Sequence, residues 1–164
     1  MNVVQKIEIV QCIFSILIAN VGTLLKLLIE RDGTSSTLEG LPNVSWTLPI
    51  TMYTPFWTVC YSLDGIASFL ILKTACSYGK FDGVSGFILY GFTLAACWSW
   101  SIVLFIEKMT GLAWLLVLIA SITSLGVNLT FWIINRVAGY LSVPATIWIL
   151  FLFIWNTTLS NKQM

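Results

Sequence analysis

Asp64 stands in the middle of an apolar run, in register with Trp57, Tyr61 and Ser68. The spacing i, i+4, i+7, i+11 from Trp57 puts all four on one helical face. At membrane depth a carboxylate costs about 3 kcal/mol even on permissive scales, so such residues usually face a cavity, a partner or a pathway; the plainer alternative is an acid tolerated without function. Two more runs carry stripes of the same kind: Tyr90, Thr93, Cys97 and Trp100 in one, and Leu141, Pro144, Trp148, Phe151 and Trp155 in the other. Either alone is ordinary helix packing. Three together, in a chain with 8 tryptophans, exceed what two interfacial belts need, and they mark Trp57, Trp100 and Trp148 as lining for a flat apolar ligand.

Other chemistries are excluded by what is missing. With 0 histidines, imidazole triads, His-ligated haem and most zinc hydrolase sites are ruled out. Cys12, Cys60, Cys76 and Cys97 lie in or beside apolar runs without Cys-x-x-Cys spacing, as buried thiols do. Neither a metal nor a cofactor is expected. A net charge of +1 and the lack of any basic stretch interleaved with aromatics leave no footprint for nucleic acid.

The stripes must be held by elements suited to lipid. Of 164 residues, 58% are apolar and 9% charged, too few charges to cover a water-soluble core. The expected fold is an all-α integral membrane protein: a single domain of five transmembrane helices at about 7–29, 54–74, 84–106, 112–134 and 137–159. Helices satisfy their own backbone in hydrocarbon, and the ten-residue alternation of a barrel is absent. The first run lacks the basic start and small-residue cleavage site of a signal peptide, so it reads as a retained helix. Short links between the later runs make those helices antiparallel neighbours. The long connection, about 30–53, carries Trp46, Leu48, Pro49, Ile50, Met52 and Tyr53, and reads as an ordered lid. Lys6, Lys73, Lys80 and Arg136 fall on one side of this topology and Lys26, Arg31, Lys108 and Lys162 on the other, so the positive-inside rule gives no orientation. Gly91 and Ala95 form a small-x-x-x-small pair through which a homodimer is expected.

The pattern Trp46-x-x-Pro49, then Pro55-x-Trp57-x-x-x-Tyr61-x-x-x-Gly65-Ile66-Ala67-Ser68, resembles the translocator protein (TspO/MBR) family, also called tryptophan-rich sensory proteins or peripheral-type benzodiazepine receptors. Trp100-Ser101, Phe131 and Leu141-x-x-Pro144-x-x-x-Trp148-x-x-Phe151-x-x-x-x-Asn156 extend the resemblance over nearly the whole chain. It implies a five-helix bundle, commonly dimeric, whose pocket is covered by the first loop. It also implies sterol, porphyrin or haem-type, and benzodiazepine-type ligands. Trp57 and Trp148 would be pocket tryptophans, Trp46, Pro49 and Pro55 the lid and its hinge, and Phe151 and Trp155 a continuation of the pocket face. If the source is eukaryotic the resemblance implies the outer mitochondrial membrane; if bacterial, an envelope membrane.

The sequence departs from that pattern at several polar positions. Thr93 and Cys97 stand where the family usually has Gln and Asn, Leu116 where it has an acid, Asp64 where it has Met, and Ala145 where it has Tyr. Thr157 replaces the Tyr of the C-terminal cholesterol motif; Leu72–Tyr78–Lys80 and Arg136–Tyr140–Val143 fit looser sterol patterns that arise by chance in membrane proteins. The expected function is non-enzymatic binding of an apolar polycyclic ligand in the membrane, with transport or sensing as its output. The alternatives are porphyrin degradation through the pocket tryptophans and a scaffold without a ligand.

Overall fold

The computed structural model describes residues 3–31, 50–78 and 82–162. Their regular structure is helical throughout: α1 (Val3–Ala19), α2 (Val21–Arg31), α3 (Ile50–Tyr78), α4 (Asp82–Phe105), α5 (Thr110–Ile134) and α6 (Arg136–Asn161). Four stretches are long and apolar enough to cross a bilayer: Met52–Ala75, Gly83–Phe105, Thr110–Ile134 and Arg136–Asn161.

The described residues thus form six helices where five were expected, because the first apolar run is broken at Asn20. The Asn20 side-chain amide donates to the Ile16 carbonyl at 3.0 Å and to Ser62 Oγ at 3.3 Å. The Asn20 backbone N–H shares that Ile16 carbonyl at 3.1 Å. Such side-chain competition for the backbone ladder bends or ends helices. The resulting pieces, 17 and 11 residues, are each shorter than the roughly 20 that a crossing takes.

The second boundary also differs. α3 begins at Ile50 rather than near 54, so Met52 and Tyr53 are helical residues rather than lid residues, and Pro55 lies inside the helix. Proline has no N–H to give to the carbonyl four residues back, which is least costly in the first turns. Trp46 and Pro49 lie outside the described residues.

Packing joins the helices in the order α1, α3, α6, α5, α4, with α2 closing back onto α4. Chain neighbours α3 and α4 touch far less than α3 and α6 do. The close approach of α1 to α3 depends on Gly65: a Cβ there would lie 2.6 Å from the Ile16 Cα. At the α2–α4 contact the Trp98 ring occupies the space that a side chain on Gly22 would need. α5 and α6 are joined through Asn135, whose Oδ1 accepts from the N–H groups of Val137 and Ala138, capping α6, while its amide donates to Thr74 Oγ1 on α3. Asn128 donates to the Gly139 carbonyl and to Ser142 Oγ, and Trp114 Nε1 donates to Thr157 Oγ1, so polar side chains pin α5 to α6 at both ends. The residue that replaces the sterol-motif Tyr is therefore a helix–helix anchor.

The turn after α4 closes with the Met109 N–H bonded to the Val103 carbonyl, and Lys108 takes φ 57° in the position where glycine is usual. Outward faces are apolar, as lipid demands: Val3, Ile7, Val10, Phe14 and Leu17 form one exposed stripe on α1. Charge gathers at the helix ends, where Lys73 and Glu8 pair at 2.9 Å.

Candidate functional site

Three walls of the bundle, α3, α4 and α6, turn aromatic side chains toward one another. Trp57, Trp100, Trp148 and Trp155 are all buried, Trp155 and Trp100 almost completely. The Trp57 ring meets Trp100 at 6.2 Å and Trp148 at 6.3 Å, the latter edge-to-face. Phe151 lies parallel to Trp148 at 5.3 Å, and Tyr61 stacks on Trp57 at 4.7 Å. These offset and T-shaped arrangements are those aromatic quadrupoles favour. The rings of Trp57, Trp148 and Phe151, from facing helices, are thus brought into one cluster.

Tyr53 is the residue sequence reasoning misplaced. It is fully buried, with its ring 5.7 Å from Trp148, 5.7 Å from Trp155 and 6.3 Å from Phe105. Extending the Trp57–Tyr61 stripe back by four residues reaches it, so the signal was present. Phe56 was missed as well: half-exposed on the outer side, it lies parallel to Trp148 at 4.9 Å and separates that ring from the surrounding lipid.

The tryptophans differ in their polar tips. Trp100 Nε1 donates to Asn156 Oδ1 at 3.2 Å, and the Asn156 amide donates to the Leu152 carbonyl, a closed network across α4 and α6. Trp148 Nε1 and the Tyr53 hydroxyl have no hydrogen-bond partner although both are buried. An unsatisfied buried donor costs about 1–3 kcal/mol.

Next to this cluster, on the same face of α3, lies a polar group. Asp64 is 7% exposed, and its Oδ1 has no hydrogen-bond partner; Tyr90 on α4 is buried as well. Cys60, Tyr61, Tyr90 and Cys97 are all near enough to Asp64 to feel its charge. Ser68, one turn further, donates to the Gly65 carbonyl. Cys60 and Cys97 are buried free thiols and Cys12 is half-buried. Among the described residues no group of acids and cysteines could hold a metal ion.

Not every expected residue joins the site. Thr93 is buried, but its hydroxyl contacts the Leu89 carbonyl and Thr123 Oγ1, so it serves the α4–α5 contact. Pro144 is exposed on the outer face of α6, and Pro55 is exposed on α3. A proline turned outward frees the carbonyl one turn back without disturbing inner packing. Cys97 remains inside, lining with Trp57, Trp100, Val117, Ile149 and Leu152 a crevice with no room for a water molecule. A second crevice, bounded by Gly22, Thr23, Trp57, Tyr61 and Trp98, has room for about one water molecule. The two spaces meet at Trp57, so a ligand of any size must part the rings.

Comparison with curated proteins finds no match. The family model of the TspO/MBR family matches residues 14–161, from the middle of α1 to the last residue of α6, and so includes every helix that carries the aromatic cluster. On that match, the chain belongs to the TspO/MBR family and is an integral membrane protein.

Proposed function

We propose that the chain binds a flat, apolar polycyclic molecule of the sterol, porphyrin or benzodiazepine type among Tyr53, Trp57, Trp100 and Trp148, and that it transports or senses this ligand rather than transforming it. The observation that carries this reading is the pair of buried donors without acceptors, Tyr53 OH and Trp148 Nε1, set among ring faces. A ligand carbonyl or carboxylate would satisfy both while the ring system gains buried apolar contact, worth roughly 25 cal/mol per Å². Phe56, parallel to Trp148 and open to the outer side, gives the ligand a path from the bilayer that needs one ring to move. A homodimer through Gly91 and Ala95 belongs to the same proposal: both are exposed on α4, and a Cβ on Gly91 would meet nothing within 4 Å. The membrane is the outer mitochondrial one in a eukaryotic source and an envelope membrane in a bacterial one.

Titration of protoporphyrin into the protein in lipid nanodiscs, read by tryptophan quenching in the dark, tests the reading. Saturable quenching that weakens about tenfold in Trp148→Ala is expected, the loss of one donor and one large ring contact. Equal titrations of the two proteins would contradict it. Illumination of the complex in air tests the enzymatic alternative: the account expects the porphyrin spectrum to decay no faster than in a Trp148→Phe variant.

A further inference from the structure

The four stretches 52–72, 83–105, 110–134 and 137–161 contain one charged residue, Asp64, and no Lys or Arg. Asp64 lies at the middle of the Met52–Ala75 span and is buried, far from headgroup depth, and among the described residues no basic side chain pairs with it. Its surroundings are three ring-bearing or soft side chains, Tyr61, Tyr90 and Cys97, together with Cys60. Asp64 Oδ1 has no hydrogen-bond partner. A buried carboxylate with tyrosine rings near it is a combination that recognises organic cations: the carboxylate accepts N⁺–H, and a ring face turned to the charge adds cation–π attraction. Seven residues separate Asp64 from Trp57, about 10 Å along the helix, so one molecule can reach from the tryptophan cluster to the acid.

We propose that Asp64, with the rings of Tyr61 and Tyr90, is the recognition point for the ammonium group of a membrane-soluble amine whose flat apolar body lies in the aromatic cluster. The proposal rests on the ligand reading above and narrows it to one class. It gives the carboxylate a counter-charge that the described residues do not supply. The Trp57–Tyr61 stack adjoins one narrow crevice and Cys97 the other, so a ligand that reaches the acid must part these side chains.

The test uses two probes with one ring system, aminomethylpyrene, which is cationic at neutral pH, and hydroxymethylpyrene, which is not. Each is titrated into the full chain in nanodiscs of zwitterionic phosphatidylcholine, with tryptophan-to-pyrene energy transfer as the readout and protein-free nanodiscs as the partition control. The amine is expected to bind about tenfold or more tighter than the alcohol, the increment of one hydrogen bond to a charged group. Asp64→Asn, nearly isosteric, should abolish that preference while leaving the alcohol's affinity within about twofold; Asp64→Glu should keep the preference. The comparison of two probes on the unaltered protein stands even if a variant fails to fold. Saturable binding of both probes with no preference for the amine, or a preference that survives in folded Asp64→Asn, would overturn the ammonium site and leave the aromatic pocket intact. Binding of neither probe would overturn both.

Discussion

At the scale of the residue, the interior is divided between polar groups that are satisfied and a few that are not. Trp100 and Asn156 bond one another, and Thr93 directs its hydroxyl to Thr123 on α5, so these polar groups serve helix–helix contacts. Tyr53, Trp148 and Asp64 have buried polar atoms without a partner. Asp64→Met should leave binding of a neutral polycyclic ligand within about twofold, because Asp64 is already buried without a ligand and its desolvation cost falls on folding rather than on binding. The same change should weaken any amine. Parallel titrations with one neutral and one cationic ligand check both outcomes, with helical content confirming the fold. The Trp57–Tyr61–Asp64 stripe was legible because a helix repeats every 3.6 residues and the polar member stood out against its apolar neighbours. Tyr53 was not, because Pro49 and Pro55 suggested a loop up to 53, whereas the helix starts at Ile50 and runs through Pro55.

At the scale of the element, close backbone approach substitutes for the hydrophobic effect, which drives no association between helices in lipid. Gly65 is where α3 admits α1: its ideal Cβ would meet the Ile16 Cα and N and the Ser15 carbonyl oxygen, all backbone atoms that cannot rotate away. Gly65→Leu should therefore separate α1 from α3 and cost about 1–3 kcal/mol, the usual cost of overpacking. A lowered thermal midpoint in detergent, with α1 becoming cleavable by added protease, is the expected outcome; an unchanged midpoint would show that α1 is not held there. Hydropathy located the four later helices to within a few residues, since lipid imposes long uninterrupted apolar runs. The division at Asn20 lies within such a run, and hydropathy does not mark it because helical backbone bonds continue through it, Asn20 N–H to the Ile16 carbonyl and Leu24 N–H to the Asn20 carbonyl.

At the scale of the whole molecule, the helix order α1, α3, α6, α5, α4 decides which stripes meet. Sequence periodicity identifies a face on each helix but not its neighbour, so Pro144, on the expected face of α6, was assigned to the pocket although it is exposed outside. That outer surface is also where the dimer proposal stands or falls. Gly91 has open space around it, so Gly91→Leu should leave the folded monomer unchanged while abolishing any dimer recovered by cross-linking in native membrane. Dimer yield unaffected by this substitution would move the interface elsewhere.

The most direct test of ligand binding is mass spectrometry of small molecules that copurify with the protein, because it requires no prior choice of ligand. Wild type and a Tyr53→Phe, Trp148→Phe double variant, purified side by side from the same membranes, should differ by one flat polycyclic compound, present near stoichiometrically in the first and depleted in the second. Recovery of acyl lipids alone from both, or of the same polycyclic compound in equal amount from both, would contradict the account.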